Sequence, residues 1–312
     1  MSEKNRIHAV LIALYLSQAA FYVWAEPSGV DWSSYLQSDP NLKNIYYLRE
    51  FVSWALIDFL SNLDPTGLLP AIFISSLLLF ATWKLLFVLQ TGLQVGIFII
   101  LILIFSNFYL LLSVNGLRQG IALGLFLMSM KFLVDKKMGS ALAVYLLSLF
   151  SHNSVLLLSP LLLFNTPIFG FVPVFPALIF FISNEVIKVS GKSNHASPTE
   201  NDNVFFAATI IILILAIVLF FSQYSKKKYS QQQIKNFIMI VFLFGISGSF
   251  LGTNVFGRLV YYTIPLMIIF LSPRIALIKP KKLLLFFLTC ICLASICYSL
   301  QHPSVALNFM SL

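Results

Sequence analysis

Residues 115–160 read NGLRQGIALGLFLMSMKFLVDKKMGSALAVYLLSLFSHNSVLLLSP. Two apolar runs, Leu117–Val134 and Gly139–Phe164, flank the basic turn Asp135-Lys136-Lys137. Arg118 opens the first run, and His152 interrupts the second within Phe150-Ser151-His152-Asn153-Ser154. An apolar run of about 20 residues crosses a bilayer as a helix. A charged or titratable side chain inside such a run is costly, which makes it a candidate for function.

The pattern recurs along all 312 residues, of which 59% are hydrophobic and only 10% charged. A soluble domain carries about 25% charged residues, and the mean hydropathy here is +0.91. The expected class is therefore all-α, a polytopic integral-membrane helical bundle of about 10–11 membrane segments forming a single domain over the whole chain. Aromatic residues at 15% suit interfacial belts. The net charge of +9 gives no argument for nucleic acid, because its distribution sets membrane topology instead. Cys290, Cys292 and Cys297 all lie in the last apolar run with no His or acid beside them, so they read as packing residues. The chain has no HExxH, paired-Cys, P-loop or GxSxG pattern and no DxD pair, so zinc hydrolysis, NTPase and serine-hydrolase chemistry lack support and no metal or other cofactor is expected.

Lys4 and Arg6 precede a first span at about Ile7–Ala25, which the positive-inside rule starts on the cytoplasmic side. Residues 26–66 are rich in acids and read as an outer loop, with an amphipathic helix over Ile45–Leu60 at the outer interface. Spans follow at Gly67–Leu86, Leu93–Ser113 and Leu117–Val134, with Lys84 at an inner turn and Asn115-Gly116 at an outer one. After Pro167 a span runs to Ser183, and a second outer loop covers residues 184–203. Further spans are expected at Val204–Ser222, Ile234–Leu251, Gly257–Leu271 and Leu283–Leu300. Parity then requires Gly139–Phe164 either to leave and return or to be a single span of the opposite parity, and it is too short for two full crossings at 1.5 Å per residue. A broken helical hairpin turning at Ser151-His152-Asn153 resolves this, since non-helical backbone at depth is tolerated inside protein or along a wet cavity.

On this topology Arg118, His152 and Arg258 all reach the outer leaflet. Arg118 follows the Asn115-Gly116 turn at a helix start, where a guanidinium and free N–H groups favour an anion, phosphate above all. Arg258 repeats this after the outer turn Gly252–Gly257, with Tyr261 and Tyr262 on the same helix surface. The bland alternative is an Arg that snorkels to headgroups. His152 suits a general base and equally suits a hydrogen-bonded histidine that stabilises the turn. Asp31, Tyr35, Arg49 and Glu50 are the polar content of the first outer loop, suited to sugar hydroxyls or simply solvated.

Asn115-Gly-Leu-Arg118-Gln119-Gly120-Ile-Ala, the basic turn, Phe150-Ser-His152-Asn-Ser154 and Gly257-Arg258-Leu-Val-Tyr261-Tyr262 resemble the EpsG-type polysaccharide polymerases, relatives of the Wzy O-antigen polymerases. Gly29-Val-Asp31, Tyr35 and Glu50 are similar too, although the family's frequent Glu-Pro-Gly is Arg49-Glu50-Phe51 here. The likeness covers roughly residues 26–270 and rests on the order and spacing of its motifs. It implies an outward-facing cavity and a metal-independent membrane glycosyltransferase that needs no cofactor. Its substrate would be an undecaprenyl-diphosphate-linked oligosaccharide repeat unit, polymerised into O-antigen, capsule or exopolysaccharide at the outer face of a bacterial inner membrane. Membrane lipids, a chain-length regulator and a flippase are the implied partners. Arg118 and Arg258 would clamp the diphosphate and His152 would act as base or acceptor-positioning group. Asp31, Tyr35, Arg49, Glu50, Asn115, Gln119, Tyr261 and Tyr262 would bind substrate. The competing expectations are a flippase or transporter for the same lipid-linked glycan, an O-antigen ligase, and a membrane subunit without catalysis.

Overall fold

Helix is the only regular structure among the described residues of the computed structural model, which are 9, 12–20, 50–104, 107–114, 116–178, 200–222, 231–250, 254–278 and 289. In order these are α1 (residues 12–20), α2 (Phe51–Leu63), α3 (Leu68–Val88), α4 (Leu93–Ile104), α5 (Asn107–Val114), α6 (Leu117–Val134) and α7 (Met138–Leu149). Two 3-10 runs follow, Asn153–Asn165 and Pro167–Val174, and then α8 (Glu200–Ser222), α9 (Gln231–Ser249) and α10 (Asn254–Ile275). The chain divides into two compact units: one of Met1–Val88, Gly92–Val155 and Lys279–Leu312, the other of Leu89–Thr91 and Leu156–Ile278.

Helix α6 is the core of the first unit. Leu117, Ile121, Leu123, Phe126, Leu127, Met130 and Leu133 are all buried, so most of the helix surface is covered, chiefly by α3 and α7, while Arg118, Leu125 and Phe132 form a partly exposed stripe. Two glycines set its approach. A Cβ at Gly120 would lie 2.5 Å from the Leu112 carbonyl oxygen and 2.6 Å from Ile74 Cγ2, and one at Gly124 would lie 2.6 Å from Leu77 Cγ. Glycines four apart on one helix face let neighbouring backbones close in, the usual device where no hydrophobic force acts between helices in lipid. Gly120→Ala is expected to cost about 2–3 kcal/mol, because a backbone carbonyl cannot step aside, and Gly124→Ala less, because the Leu77 side chain can rotate. Unfolding of the purified variants in detergent checks the order.

The α2–α3 connection is held by one carboxylate. Asp64 Oδ1 accepts the Thr66 N–H at 2.9 Å and the Thr66 hydroxyl at 2.6 Å, while Oδ2 accepts the Leu69 N–H at 2.6 Å. Gly67, with φ 85°, turns the chain into α3. Burial pushes the Asp64 carboxyl up, but the hydrogen bonds from Thr66, Leu69 and Leu68 outweigh it and hold the group below its ordinary 3.8. A carboxyl lowered on folding stabilises above its ordinary range and loses that contribution as pH falls through the lowered value. Asp64→Ala should therefore cost about 1 kcal/mol near neutrality and little in strong acid, read from thermal unfolding at the two pH values.

In the second unit α8, α9 and α10 pack on one another, and Pro167–Val174 packs on α9. Phe220 and Phe237 stack at 4.4 Å, the Arg274 guanidinium lies 5.5 Å from the Phe220 ring, and Ser247 and Thr263 share a 2.7 Å hydrogen bond. Ile211, Ile214, Leu215, Val218 and Phe221 leave an exposed apolar face on α8. Leu68–Val88 and Leu117–Val134 are long and apolar enough to cross a bilayer. These features fit a membrane protein.

Several boundaries differ from the sequence reading. Of the helix expected over Ile45–Leu60, residues 45–49 lie outside the described residues, and α2 extends past Leu60 to Leu63, where the Asp64 N–H closes the last turn on Leu60 O. Lys84 sits inside α3 instead of a turn, with its ammonium 5.2 Å from the Phe80 ring. The span expected over Leu93–Ser113 is helical in its described residues, as α4 and α5, with 105–106 outside them. Pro160 and Pro173 lie in 3-10 segments, where the missing N–H and fixed φ are tolerated better than in an α-helix interior. Residues 200–203 of the expected loop 184–203 already belong to α8, and Asn254–Gly257 belong to α10, so Asn254–Gly257 are helical instead of an outer turn. The cysteines and the span Leu283–Leu300 fall outside the described residues, Thr289 apart.

Candidate functional site

The second apolar run of residues 115–160 breaks where His152 stands. Helix α7 ends at Leu149, and the N–H groups of Ser151 and His152 both turn back to Ser148 O, each at 3.1 Å. A helix end in an apolar surrounding must satisfy its last carbonyls, and a helix start its first N–H groups. Here the start of α2 and the end of α7 satisfy each other. Val52 N–H donates to Phe150 O at 3.3 Å, and the Ser53 hydroxyl donates to Ser151 O at 2.9 Å. The Phe51 and Phe150 rings pack at 5.3 Å.

Glu50, just before α2, lies over this junction. Its carboxylate Oε2 forms an ion pair with Arg118 Nη1, while Oε1 accepts the Asn153 N–H at 3.4 Å. The Glu50 side chain is 3% exposed and that of Arg118 20%. The Arg118 guanidinium also lies 5.0 Å from the Trp54 ring, a cation–π contact that fixes its plane. Arg118 stands in the first turn of α6 after Gly116, as the sequence predicts. The position of that turn follows from the Gly120 approach to Leu112, and α7 is tied to α6 by the Ser148 hydroxyl donating to Ala122 O at 2.6 Å.

His152 is buried. Its Nδ1 accepts the Ser154 N–H at 3.2 Å, and its carbonyl accepts the Val155 N–H at 3.2 Å. It thus caps the 3-10 run Asn153–Asn165 with its ring, much as Asn or Asp caps a helix. With the Nδ1 lone pair engaged, a neutral ring carries its proton on Nε2 and presents a donor there.

Arg118, Glu50 and His152 are therefore gathered in the first unit around one helix break, and Gln119, next along α6, is half-buried. Arg258, Tyr261 and Tyr262 lie on α10 in the second unit. Tyr262 is fully buried, and Tyr261 is partly exposed with its ring 6.1 Å from Phe205. Asp31, Tyr35, Arg49 and Asn115 fall outside the described residues. Sequence reasoning did not find Trp54 or Ser53, or the role of Glu50 as the partner of Arg118. The spacing Glu50–Trp54, four residues along a helix start, was the available signal. Among the described residues no group of three His, Cys, Asp or Glu side chains could hold a metal.

The arrangement offers a guanidinium, a backbone N–H and an imidazole at one buried junction, a set suited to an anion and a hydroxyl. The model of the EpsG family matches residues 8–310. No curated protein and no solved structure matches the chain.

Proposed function

The chain belongs to the EpsG family, a family of Wzy-like polysaccharide polymerases, and from that premise we propose that it polymerises undecaprenyl-diphosphate-linked oligosaccharide repeat units. A hydroxyl of the incoming unit attacks the anomeric carbon of the growing chain. The glycosidic C–O bond forms, the bond to the diphosphate breaks, and undecaprenyl diphosphate departs with the electron pair. The hydroxyl proton passes to a base or to solvent. The product is O-antigen, capsule or exopolysaccharide.

The observation that carries this reading is the Arg118–Glu50–His152 cluster at the start of α6 and the end of α7. A leaving diphosphate needs charge stabilisation more than proton transfer, and an arginine at a helix start supplies it. Arg118 is the diphosphate-binding group. His152, with its proton on Nε2, positions the acceptor hydroxyl, and proton removal through Nε2 needs the other tautomer. Arg258 on α10 is a second cation for the same substrate class, tested by its own substitution. Asp31, Tyr35, Arg49, Asn115, Gln119 and Tyr261 contact sugar, whereas Tyr262, expected to do so from the sequence, is fully buried and packs inside the fold. Glycosyl transfer occurs at the outer face of a bacterial inner membrane, in an outward-facing cavity beside a broken hairpin at His152, within one integral-membrane domain whose N-terminus is cytoplasmic. A flippase supplies the substrate and a chain-length regulator acts on the product.

The purified protein in nanodiscs, given a lipid-diphosphate-linked repeat unit, should release lipid diphosphate and leave glycans longer than one repeat. Release with no lengthening contradicts the proposal, and so does an unchanged substrate.

A further inference from the structure

We propose that the Glu50 carboxylate and the substrate's diphosphate are exchange partners for one set of donors, so that Glu50 sets how tightly diphosphate is held and how fast it leaves. This rests on Arg118 being the diphosphate-binding group. Glu50 already takes two donors that a phosphate edge could use, Arg118 Nη1 on Oε2 and the Asn153 N–H on Oε1. Carboxylate and phosphate both accept two parallel N–H bonds from such donors. The Trp54 ring keeps the guanidinium in place through either partnership.

The burial is asymmetric, 3% exposed for Glu50 against 20% for Arg118. The guanidinium can be reached while the carboxylate lies beneath it. A diphosphate arriving at Arg118 meets an ionised Glu50 in a poorly screened site, and like charges there repel strongly. In the exchange Glu50 gives up Arg118 as the diphosphate binds, and the returning carboxylate displaces the diphosphate. Each cycle of polymerisation leaves a diphosphate product that must depart, so an internal competitor favours turnover over affinity.

A purely positioning role for Glu50 predicts the opposite sign, because loosening Arg118 would weaken binding. Binding of undecaprenyl diphosphate and of inorganic pyrophosphate to the full-length protein in nanodiscs separates the two. Glu50→Gln keeps the shape and an acceptor oxygen while removing the charge. It should bind both probes about tenfold more tightly than the native protein, with KM lowered and kcat lowered. Equal or weaker binding overturns the exchange. The double variant Glu50→Gln/Arg118→Gln should lose the gain and bind more weakly than the native protein. If it binds as tightly as Glu50→Gln alone, the assignment of Arg118 falls, and the exchange with it. If it binds weakly while Glu50→Gln shows no gain, only the exchange falls. The native protein gives an independent check. Labelling of Glu50 by a hydrophobic carbodiimide should rise when undecaprenyl diphosphate is added, and unchanged labelling overturns the proposal.

Discussion

Arg118→Ala is expected to abolish polymer and to destabilise the first unit by about 3 kcal/mol, the low end for a broken buried ion pair. The low end applies because Arg118 keeps 20% of its side-chain surface exposed, whereas the Glu50 left behind has 3%. An orphaned carboxylate also loosens the Asn153 N–H it accepts and with it the start of the 3-10 run. Replacing both partners by glutamine removes both charges at once. Glu50→Gln/Arg118→Gln should recover most of the lost stability and still make no polymer, because no guanidinium remains for the leaving diphosphate. Arg118→Lys keeps the charge but loses the planar fork and its stacking on Trp54, so its polymer should be short. Thermal unfolding and glycan length, measured on the same preparations, check the series. A double variant that is stable and fully active would show that the pair only holds the fold.

The second large effect is at His152. His152→Ala loses the cap on the Ser154 N–H, worth about 1 kcal/mol, and should lower the polymerisation rate by about a hundredfold or more. Asparagine separates these two losses. The Asn side-chain oxygen can stand where Nδ1 stands and accept from Ser154, so His152→Asn should keep native stability while remaining as inactive as the alanine variant. Glutamine, whose amide nitrogen reaches nearer to the Nε2 position, should be less stable and retain more activity. If the asparagine variant polymerises at the native rate, His152 is a cap and nothing more.

Much of the bundle is legible in the sequence because the bilayer imposes length and hydropathy on each helix. The runs Leu68–Val88 and Leu117–Val134 follow from that alone. The break at His152 is legible only as one of two readings, because the length of Gly139–Phe164 also allows a single span of the opposite parity. Boundaries set by capping are less so. The turn at Asp64 reads as one more outer-loop acid until its oxygens are seen to take the Thr66 and Leu69 N–H groups. At the candidate site Arg118 and His152 stand out as polar residues in apolar runs. Their meeting through Glu50 does not, since Glu50 lies 68 residues before Arg118 and 103 before Asn153. Only packing brings those segments together, and the Gly120 approach that makes room for it shows in sequence merely as two glycines four apart.

The most direct test is the length profile of surface glycan on a gel, from a native host lacking this gene and complemented with either the native chain or Glu50→Gln/Arg118→Gln. The account predicts collapse of the ladder to a single repeat unit on its usual carrier, restored by the native chain and left collapsed by the double variant. An unchanged ladder on deletion would contradict it. So would loss of every repeat with lipid-linked units trapped on the inner side, the mark of a flippase, or full-length chains left on undecaprenyl diphosphate, the mark of a ligase.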